Sequence, residues 1–319
     1  MKKILITGGC GFIGSHVTEF FFKKYKKSQI IVYDKITYAA HLGNLKNIIK
    51  SKRLIIVKKD ILDFKSLKKY TKNVDLIIHA AAESHVDNSF ELNDKFVETN
   101  ILGTKNVMQA SKINKVKKVI HLSTDEVYGE IFKGSFDENS NFNPSNPYSS
   151  SKAAAEMIVN GYIHSYKLPV IVVRANNIFG TRQHPEKLIS GCCWSFAKDK
   201  RFTLHGKGLQ KRSFLYIDDF CYALHKILQK GKLHEVYNIG SNFEYKNIDV
   251  VNLILRLNKK TINENVLYVK DRPFNDYRYS VNFSKMMKLG WRPKIRLEEK
   301  INEINHWYQQ NHSRYKKRI

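Results

Sequence analysis

Short runs of apolar residues alternate with longer segments of helical periodicity through the first half of the chain. The runs are rich in β-branched side chains, as in buried parallel strands, and they cover residues 4–7, 30–33, 54–57, 76–79, 119–122 and 170–173. Between them, apolar positions recur at helical spacing over residues 16–24, 64–70, 90–110 and 148–166. The pattern predicts an α/β fold with a doubly wound parallel sheet.

This alternation breaks at about Thr181. Beyond it the sequence predicts helices over residues 185–198, 218–229 and 248–257, and short strands near residues 202–205, 235–239 and 266–269. No Pro/Gly/Ser-rich linker separates two modules. We therefore expect two lobes, residues 1–180 and residues 181–319, interleaved as one compact unit.

A glycine-rich loop follows the first predicted strand, with glycines at Gly8, Gly11 and Gly14. Glycine is needed where the backbone turns tightly and approaches a pyrophosphate, whose charge then lies at the N-terminus of a helix. Asp34 ends the second predicted strand, where its carboxylate can accept hydrogen bonds from a ribose and repel a 2′-phosphate. The loop and the carboxylate predict a dinucleotide site that prefers NAD to NADP.

Small and polar residues end several of the predicted strands. The carboxyl ends of parallel strands meet at one edge of a sheet. We therefore expect one crevice to be lined by Asp60-Ile61, Ala80 to Ala82, Ser123-Thr124 and Ala175 to Asn177.

Two side-chain pairs carry candidate chemistry. Tyr148 and Lys152 are four residues apart on a predicted helix, so they share a face, and the ammonium can lower the pKa of the phenol. Tyr148 thereby becomes a candidate base. Asp125 and Glu126 directly follow Thr124 and supply a second acid/base pair, which a simple alcohol oxidation does not need. The combination predicts an oxidation coupled to an elimination.

With these residues, the chain resembles the nucleotide-sugar 4,6-dehydratases, which are extended short-chain dehydrogenases/reductases with a Rossmann fold. The similarity runs from Met1 to about Trp307. Its most specific motifs are Ala80 to Asp87, Glu98 to Asn100, Ser123 to Gly129, Asn176-Asn177, Pro185 to Leu188, Arg212 to Tyr216 and Arg272 to Asp276. The resemblance implies an NAD-dependent hydro-lyase that converts an NDP-glucose to the NDP-4-keto-6-deoxyglucose. It also implies a smaller C-terminal α/β lobe for the sugar nucleotide, and a homodimer formed through the helices at 90–110 and 148–166.

The resemblance further implies roles for individual residues. Tyr148, assisted by Lys152, takes the O4 proton, and Thr124 bonds the developing carbonyl. Glu126 removes the C5 proton, and Asp125, with a raised pKa, protonates the departing C6 hydroxyl. NAD binding is expected at Gly8, Gly11, Phe12, Ile13, Gly14, Asp34, Asp60, Ile61, Ala80, Ala81, Ala82, Thr99, Tyr148, Lys152 and Asn177. Substrate binding is expected at Ser84, Thr124, Asn176, Lys187, Leu188, Arg212, Asn247 and Arg272.

The sequence is compatible with two nucleobases in the sugar-nucleotide substrate, uracil and thymine. Where the bacterial dTDP-glucose enzymes usually have Gly-His after an Arg-Pro pair, this chain has Phe274 and Asn275. The string looks more like the dehydratase domain of eukaryotic UDP-rhamnose synthases. UDP-glucose and dTDP-glucose are both candidates, and rhamnose or another deoxysugar is the expected destination.

The composition and net charge of the chain indicate which binding partners and which cellular compartment to expect. A net charge of +26 favours phosphate ligands, but the lysines form no single stripe, so we expect no nucleic-acid partner. No apolar stretch has the length of a membrane span, and the four cysteines have neither metal-binding nor disulfide spacing. We expect a cytoplasmic protein with no metal and with reduced thiols, in which Cys10 of the glycine loop has a steric role.

Three rival interpretations remain. A UDP-sugar 4-epimerase shares the glycine loop, Thr124, Tyr148 and Lys152 but has no use for an acid/base pair at residues 125–126. A UDP-glucuronate decarboxylase is expected to carry Ser-Glu there. From a different class, a non-catalytic NAD-binding sensor protein shares the fold, and loss of Tyr148 or Lys152 would favour it; both are present, so an enzyme is favoured.

Overall fold

The computed structural model of the chain describes residues 1–271 and 274–315. Seven of its strands are β1 (Lys3–Thr7), β2 (Gln29–Asp34), β3 (Leu54–Lys58), β4 (Leu76–His79), β5 (Lys118–Thr124), β6 (Val170–Ala175) and β10 (Val236–Ile239). They form one parallel sheet in the order β3-β2-β1-β4-β5-β6-β10. The strand order reverses between β1 and β4, and ligands of open α/β sheets bind at such a point.

Helices cover both faces of this sheet. Those of the first half are α1 (Phe12–Lys24), α2 (Phe64–Tyr70), α3 (Val86–Glu91), α4 (Asn93–Phe96), α5 (Gly103–Ile113) and α6 (Pro147–Tyr166). Successive strand residues point to opposite faces, so Ile4 and Ile6 pack in one core cluster with Val17 of α1. Leu5 packs in the other cluster with Val107 of α5. The predicted doubly wound parallel sheet is confirmed.

The single helix predicted over residues 90–110 is wrong. The chain turns at Leu92 between α3 and α4, and Val97–Leu102 form a π-helical segment before α5. The side-chain amide of Asn100 in this segment donates to the Glu83 carbonyl oxygen (3.0 Å) and to the Ser151 hydroxyl (2.8 Å). Such polar bonds accompany the wider turn, and the spacing of apolar residues carries no signal for them.

The second half builds two further sheets and six helices among the described residues. One sheet contains β7 (Asn177–Phe179), β9 (Lys211–Tyr216) and β11 (Glu244–Lys246), and the other pairs β8 (Phe202–His205) with β12 (Val266–Val269). The helices are α7 (Leu188–Ala197), α8 (Ile217–Lys230), α9 (Asn247–Leu257), α10 (Ile262–Asn265), α11 (Ser284–Lys288) and α12 (Leu297–Asn311).

The two halves are interwoven, because β10 lies beside β6 in the large sheet. The sequence-based prediction omitted α12, although its buried positions Leu297, Ile301, Ile304 and Tyr308 have helical spacing. Within residues 1–271 and 274–315, no helix has both the length and the hydrophobicity needed to cross a membrane.

Candidate active site

A cavity of about 640 Å³ opens along the carboxyl ends of the strands of the large sheet. Every predicted site residue that the structure describes lines it, from both halves of the chain. These are Gly8, Gly11, Phe12, Ile13, Gly14, Asp34, Asp60, Ile61, Ala80, Ala81, Ala82, Ser84, Thr99, Thr124, Asp125, Glu126, Tyr148, Lys152, Asn176, Asn177, Lys187, Leu188, Arg212 and Asn247. Arg272 lies outside the described residues.

The glycine loop has the geometry of a phosphate cradle, and its three glycines serve different purposes. Gly8 has φ +67°, and a Cβ there would lie 2.8 Å from the backbone of Ala81. A Cβ on Gly14 would lie 2.0 Å from the Gly8 carbonyl oxygen, so Gly14 lets α1 pack against the loop. Gly11 has φ −73°, and a Cβ there meets protein only at 3.4 Å. Because Gly11 lines the cavity, the space that a Cβ would fill is free for a phosphate at the start of α1.

Asp34 is buried and holds the loop from the end of β2. Its carboxylate accepts hydrogen bonds from the backbone N–H of Cys10 (2.8 Å) and of Ile36 (2.6 Å). Burial raises the pKa of Asp34, and these N–H groups oppose that rise. Cys10 is fully buried, and burial raises the pKa of its thiol to about 12, which agrees with the steric role expected for it.

The acid/base pair directly follows β5. The Thr124 hydroxyl accepts from the Glu126 N–H (3.2 Å) and caps the short helical turn Asp125–Tyr128. Asp125 is buried, and its Oδ2 accepts from the Asn176 amide at 2.6 Å. Burial, together with the Glu126 carboxylate, raises the pKa of Asp125 to about 7. The raised pKa expected for this carboxyl group is confirmed.

Glu126 titrates in a different setting from that of Asp125. Burial raises the pKa of Glu126, but the positive charges of Lys187 and Arg212 lower it. Those cations favour the ionised form of Glu126, so the two neighbouring carboxyl groups of one cavity have different electrostatic environments.

Tyr148 and Lys152 lie near the start of α6. The turn before them is a capping box, in which the Asn146 side chain accepts from the Ser149 N–H (2.9 Å), with Pro147 in the first turn of the helix. Lys152 donates to the Leu122 carbonyl oxygen at 2.7 Å, and burial lowers its pKa to about 8.

The expectation that Tyr148 has a lowered pKa is wrong for this structure. Burial and the Glu126 carboxylate raise the pKa of Tyr148, and a hydrogen bond with Thr124 opposes that rise. The desolvation of the phenolate dominates, since Tyr148 is only 9% exposed.

The substrate-side cations converge on the same cavity. Arg212 in β9 donates through Nη2 to the Asp276 carbonyl oxygen (2.8 Å), and its guanidinium lies 4.5 Å from the centre of the Tyr279 ring. Lys187 donates to the Ser84 carbonyl oxygen at 2.6 Å. Asn247 lines the cavity at the start of α9.

Among the cavity residues to which the sequence analysis gave no role are Tyr38, Asn146, Asp276 and Tyr279. Asp276 is buried and accepts hydrogen bonds from Tyr279 and from Ser145. The N-cap signal of Asn146 before Pro147 was readable. The contacts of Asp276 depend on chain segments that are distant in sequence, so spacing alone could not reveal them.

The fold and the cavity define the class of the protein as an extended short-chain dehydrogenase/reductase. The chain matches the family described as GDP-mannose 4,6 dehydratase over residues 5–304. It is 41% identical to a dTDP-D-glucose 4,6-dehydratase of Dictyostelium discoideum, across 98% of this chain and 82% of that protein. It therefore belongs to the nucleotide-sugar 4,6-dehydratase family.

Two further similarities bear on the ligands. The chain is 40% identical to a trifunctional UDP-glucose 4,6-dehydratase/UDP-4-keto-6-deoxy-D-glucose 3,5-epimerase/UDP-4-keto-L-rhamnose-reductase of Arabidopsis thaliana, across 97% of this chain and 47% of that protein. The crystal structure of DesIV, a dTDP-glucose 4,6-dehydratase from Streptomyces venezuelae, has NAD and TYD bound. It matches with a TM-score of 0.95 at 35% identity, covering 98% of this chain and 99% of that chain.

Proposed function

We propose that the protein is an NDP-glucose 4,6-dehydratase that converts UDP-glucose or dTDP-glucose to the NDP-4-keto-6-deoxyglucose and water. The observation that carries the proposal is the pair Asp125 and Glu126. The pKa of Asp125 is raised to about 7, and at Glu126 beside it the positive charges of Lys187 and Arg212 oppose the rise in pKa that burial causes. An epimerase has no step that needs such a pair, whereas loss of water needs one acid and one base.

NAD is the cofactor that the glycine loop fits. Gly8, Gly11 and Gly14 would hold the pyrophosphate at the start of α1, and Asp34 would bind a ribose with the lone pairs that its backbone N–H partners leave free. When bound, NAD accepts a hydride from C4 and returns it at C6.

Tyr148 and Thr124 act on the O4 hydroxyl. Tyr148 takes the O4 proton, and the Thr124 hydroxyl hydrogen-bonds the developing C4 carbonyl. Thr124 and Lys152 are the groups available to stabilise the tyrosinate, because Thr124 already lowers the pKa of Tyr148 and Lys152 lies one helical turn away. The new carbonyl acidifies the C5 proton.

Glu126 and Asp125 then remove water across C5 and C6. Glu126 takes the C5 proton, the C5–C6 double bond forms, and the C6–O bond breaks as Asp125 donates its proton to the departing hydroxyl. Asn176, which donates to Asp125 at 2.6 Å, fixes the orientation of the acid. Glu126 returns its proton to C5 when C6 is reduced.

Arg212 and Lys187 are proposed to bind the diphosphate, since both line the cavity as cations and a planar guanidinium grips phosphate oxygens with two hydrogen bonds. The side-chain oxygen of Asn275 accepts a hydrogen bond from Arg212 (3.4 Å), and its amide nitrogen donates one to Asp271 (2.7 Å). Phe274 and Asn275 both lie in the cavity wall. Because their motif resembles that of eukaryotic UDP-rhamnose synthases, UDP-glucose is proposed as a substrate alongside dTDP-glucose.

The protein is also proposed to act as a cytoplasmic homodimer. Large apolar side chains remain exposed along the π-helical segment and α6: Val97 (47%), Leu102 (50%) and Met157 (52%). Packing of these surfaces against a second copy gives a four-helix bundle. The four cysteines are free thiols, as is usual in a reducing compartment.

Turnover of purified protein with UDP-glucose and with dTDP-glucose, in separate reactions with NAD, tests the proposal. We expect a 4-keto-6-deoxy product without net formation of NADH, because the hydride removed at C4 returns at C6. Formation of NADH in equal amount to product would indicate a net dehydrogenase, and a 4-epimer product would indicate an epimerase.

A further inference from the structure

The segment His312–Arg314, which follows α12, reaches back to the loop after β2. Arg314 Nη2 donates to His41 Nδ1 at 2.9 Å and to Asn44 Oδ1 at 3.3 Å. Burial and the Arg314 charge lower the pKa of His41, which favours the neutral ring, and its Nδ1 also accepts from the Gly43 N–H (2.9 Å). The C-terminal segment is therefore bonded to a loop that is about 270 residues earlier in the chain.

These contacts continue into the glycine loop. The Asn44 amide donates to the Cys10 carbonyl oxygen at 3.0 Å, and the His41 N–H donates to the same oxygen at 3.1 Å. The Cys10 N–H in turn donates to Asp34. Arg314 thus holds both residues that anchor the centre of the loop between Gly8 and Gly14.

A second contact supports the adjoining wall of the cavity. The buried ring of Tyr315 packs edge-to-face on His184, with ring centres 5.5 Å apart, and His184 packs likewise on Tyr38 at 5.0 Å. Tyr38 and His184 both line the cavity, whereas Arg314 and Tyr315 do not. The segment therefore acts on the site only through other residues.

We propose that Arg314 is a positioning residue that holds the glycine loop in its NAD-binding conformation. The inference rests on the proposed function, because it assumes that NAD occupies this loop. A loop that is already ordered loses less conformational entropy when it binds a ligand, so the contact strengthens cofactor binding without touching the cofactor. The chemistry, which lies at β5 and α6, is unaffected once the site is filled.

The test is NAD affinity, measured by calorimetry on cofactor-free protein, for Arg314→Ala, Arg314→Lys and the matched control Arg292→Ala. Arg292 is exposed and lies outside the cavity wall. We expect roughly tenfold weaker binding for Arg314→Ala, the scale of one hydrogen bond to a charged group. Arg314→Lys, which keeps the charge but not the planar donors, should bind with intermediate affinity, and Arg292→Ala should bind like wild type.

Two further readouts separate positioning from a general structural role. The turnover rate at saturating NAD should equal that of wild type in Arg314→Ala, and the effects of Asn44→Ala and Arg314→Ala on NAD affinity should not add. Unchanged NAD affinity in both Arg314 variants would overturn the inference, even if their melting temperature fell. Failure of the wild-type protein to bind NAD would instead overturn the proposed function.

Discussion

Two adjacent carboxyl groups with different environments are the chemical centre of the site. Asp125 is enclosed and bonded to Asn176, whereas Glu126 faces the positive charges of Lys187 and Arg212. One residue pair can therefore supply both a proton donor and a proton acceptor at neutral pH.

The pH dependence of turnover follows from these states. Asp125 must be protonated and Glu126 ionised, so kcat should fall as pH rises through about 7 and should also fall at acid pH as Glu126 is protonated. The measurement is kcat for formation of the 4-keto-6-deoxy product as a function of pH. The alkaline limb should disappear when Asp125 is replaced by Asn, because that residue no longer titrates. An alkaline limb that persists in Asp125→Asn belongs to another group.

The raised pKa of Asp125 should also make the folded protein less stable as pH rises. Its folded pKa of about 7 lies above its ordinary value of 3.8, so the native state binds the proton more tightly than the unfolded state does. The free energy of unfolding should therefore fall between about pH 4 and about pH 7. Asp125→Asn keeps the shape without the charge, so relative to wild type it should be stabilised by on the order of a few kcal/mol at about pH 8 and by little at about pH 4. Urea unfolding at both pH values measures this difference, and a constant difference would contradict the assignment.

At the scale of elements, two glycines of the glycine loop have different roles, Gly14 in packing and Gly11 in binding. Gly14→Ala places a Cβ 2.0 Å from the Gly8 carbonyl oxygen, so it should lower both the melting temperature and NAD affinity. Gly11→Ala fits the protein but fills the cavity, so it should lose NAD binding while the cofactor-free protein melts normally. Gly161→Ala on α6, outside the cavity wall, where a Cβ meets no atom of the same chain within 4 Å, is the control and should leave NAD binding intact. Normal NAD binding by Gly11→Ala would remove the pyrophosphate from this position.

The elements differ in how much of them the sequence could predict. The strands of the large sheet were predictable because runs such as Ile30 to Tyr33 are buried on both faces. The break at Leu92 and the π-helical turn around Asn100 were not, because they depend on hydrogen bonds to Glu83 and Ser151 that only the folded chain brings near.

The features of the candidate site also divide into those that the sequence could predict and those that it could not. Motif residues at strand ends converge on the cavity because parallel strands share one carboxyl edge. The pKa of Tyr148 could not be read from its spacing to Lys152, since burial outweighs the helical neighbour. The contacts of Asp276 and Arg314 join segments more than a hundred residues apart, and no local pattern encodes them.

At the scale of the whole molecule, the proposed dimer makes a specific prediction about exposed apolar side chains. Leu102→Glu combined with Met157→Glu should convert the protein to monomer, because each charge would be buried in the proposed bundle. Met287 on α11 is equally exposed at 52%, so Met287→Glu is the control and should leave the mass unchanged. Sedimentation at micromolar concentration measures the outcome. A wild-type monomer, or a dimer unaffected by the double substitution, would contradict the proposed interface.

The most direct test of the account is a single turnover of NDP-glucose by Asp125→Asn and Glu126→Gln, following both the absorbance of reduced nicotinamide and the 4-keto-6-deoxy product. Oxidation at C4 needs Tyr148 and Thr124 but neither carboxyl group, so reduced nicotinamide should accumulate while product forms about 10² to 10⁴ times more slowly. Tyr148→Phe should leave the nicotinamide oxidised, and Asp137→Asn, in an exposed turn, should behave as wild type. Wild-type product formation by both carboxyl variants would contradict the elimination mechanism.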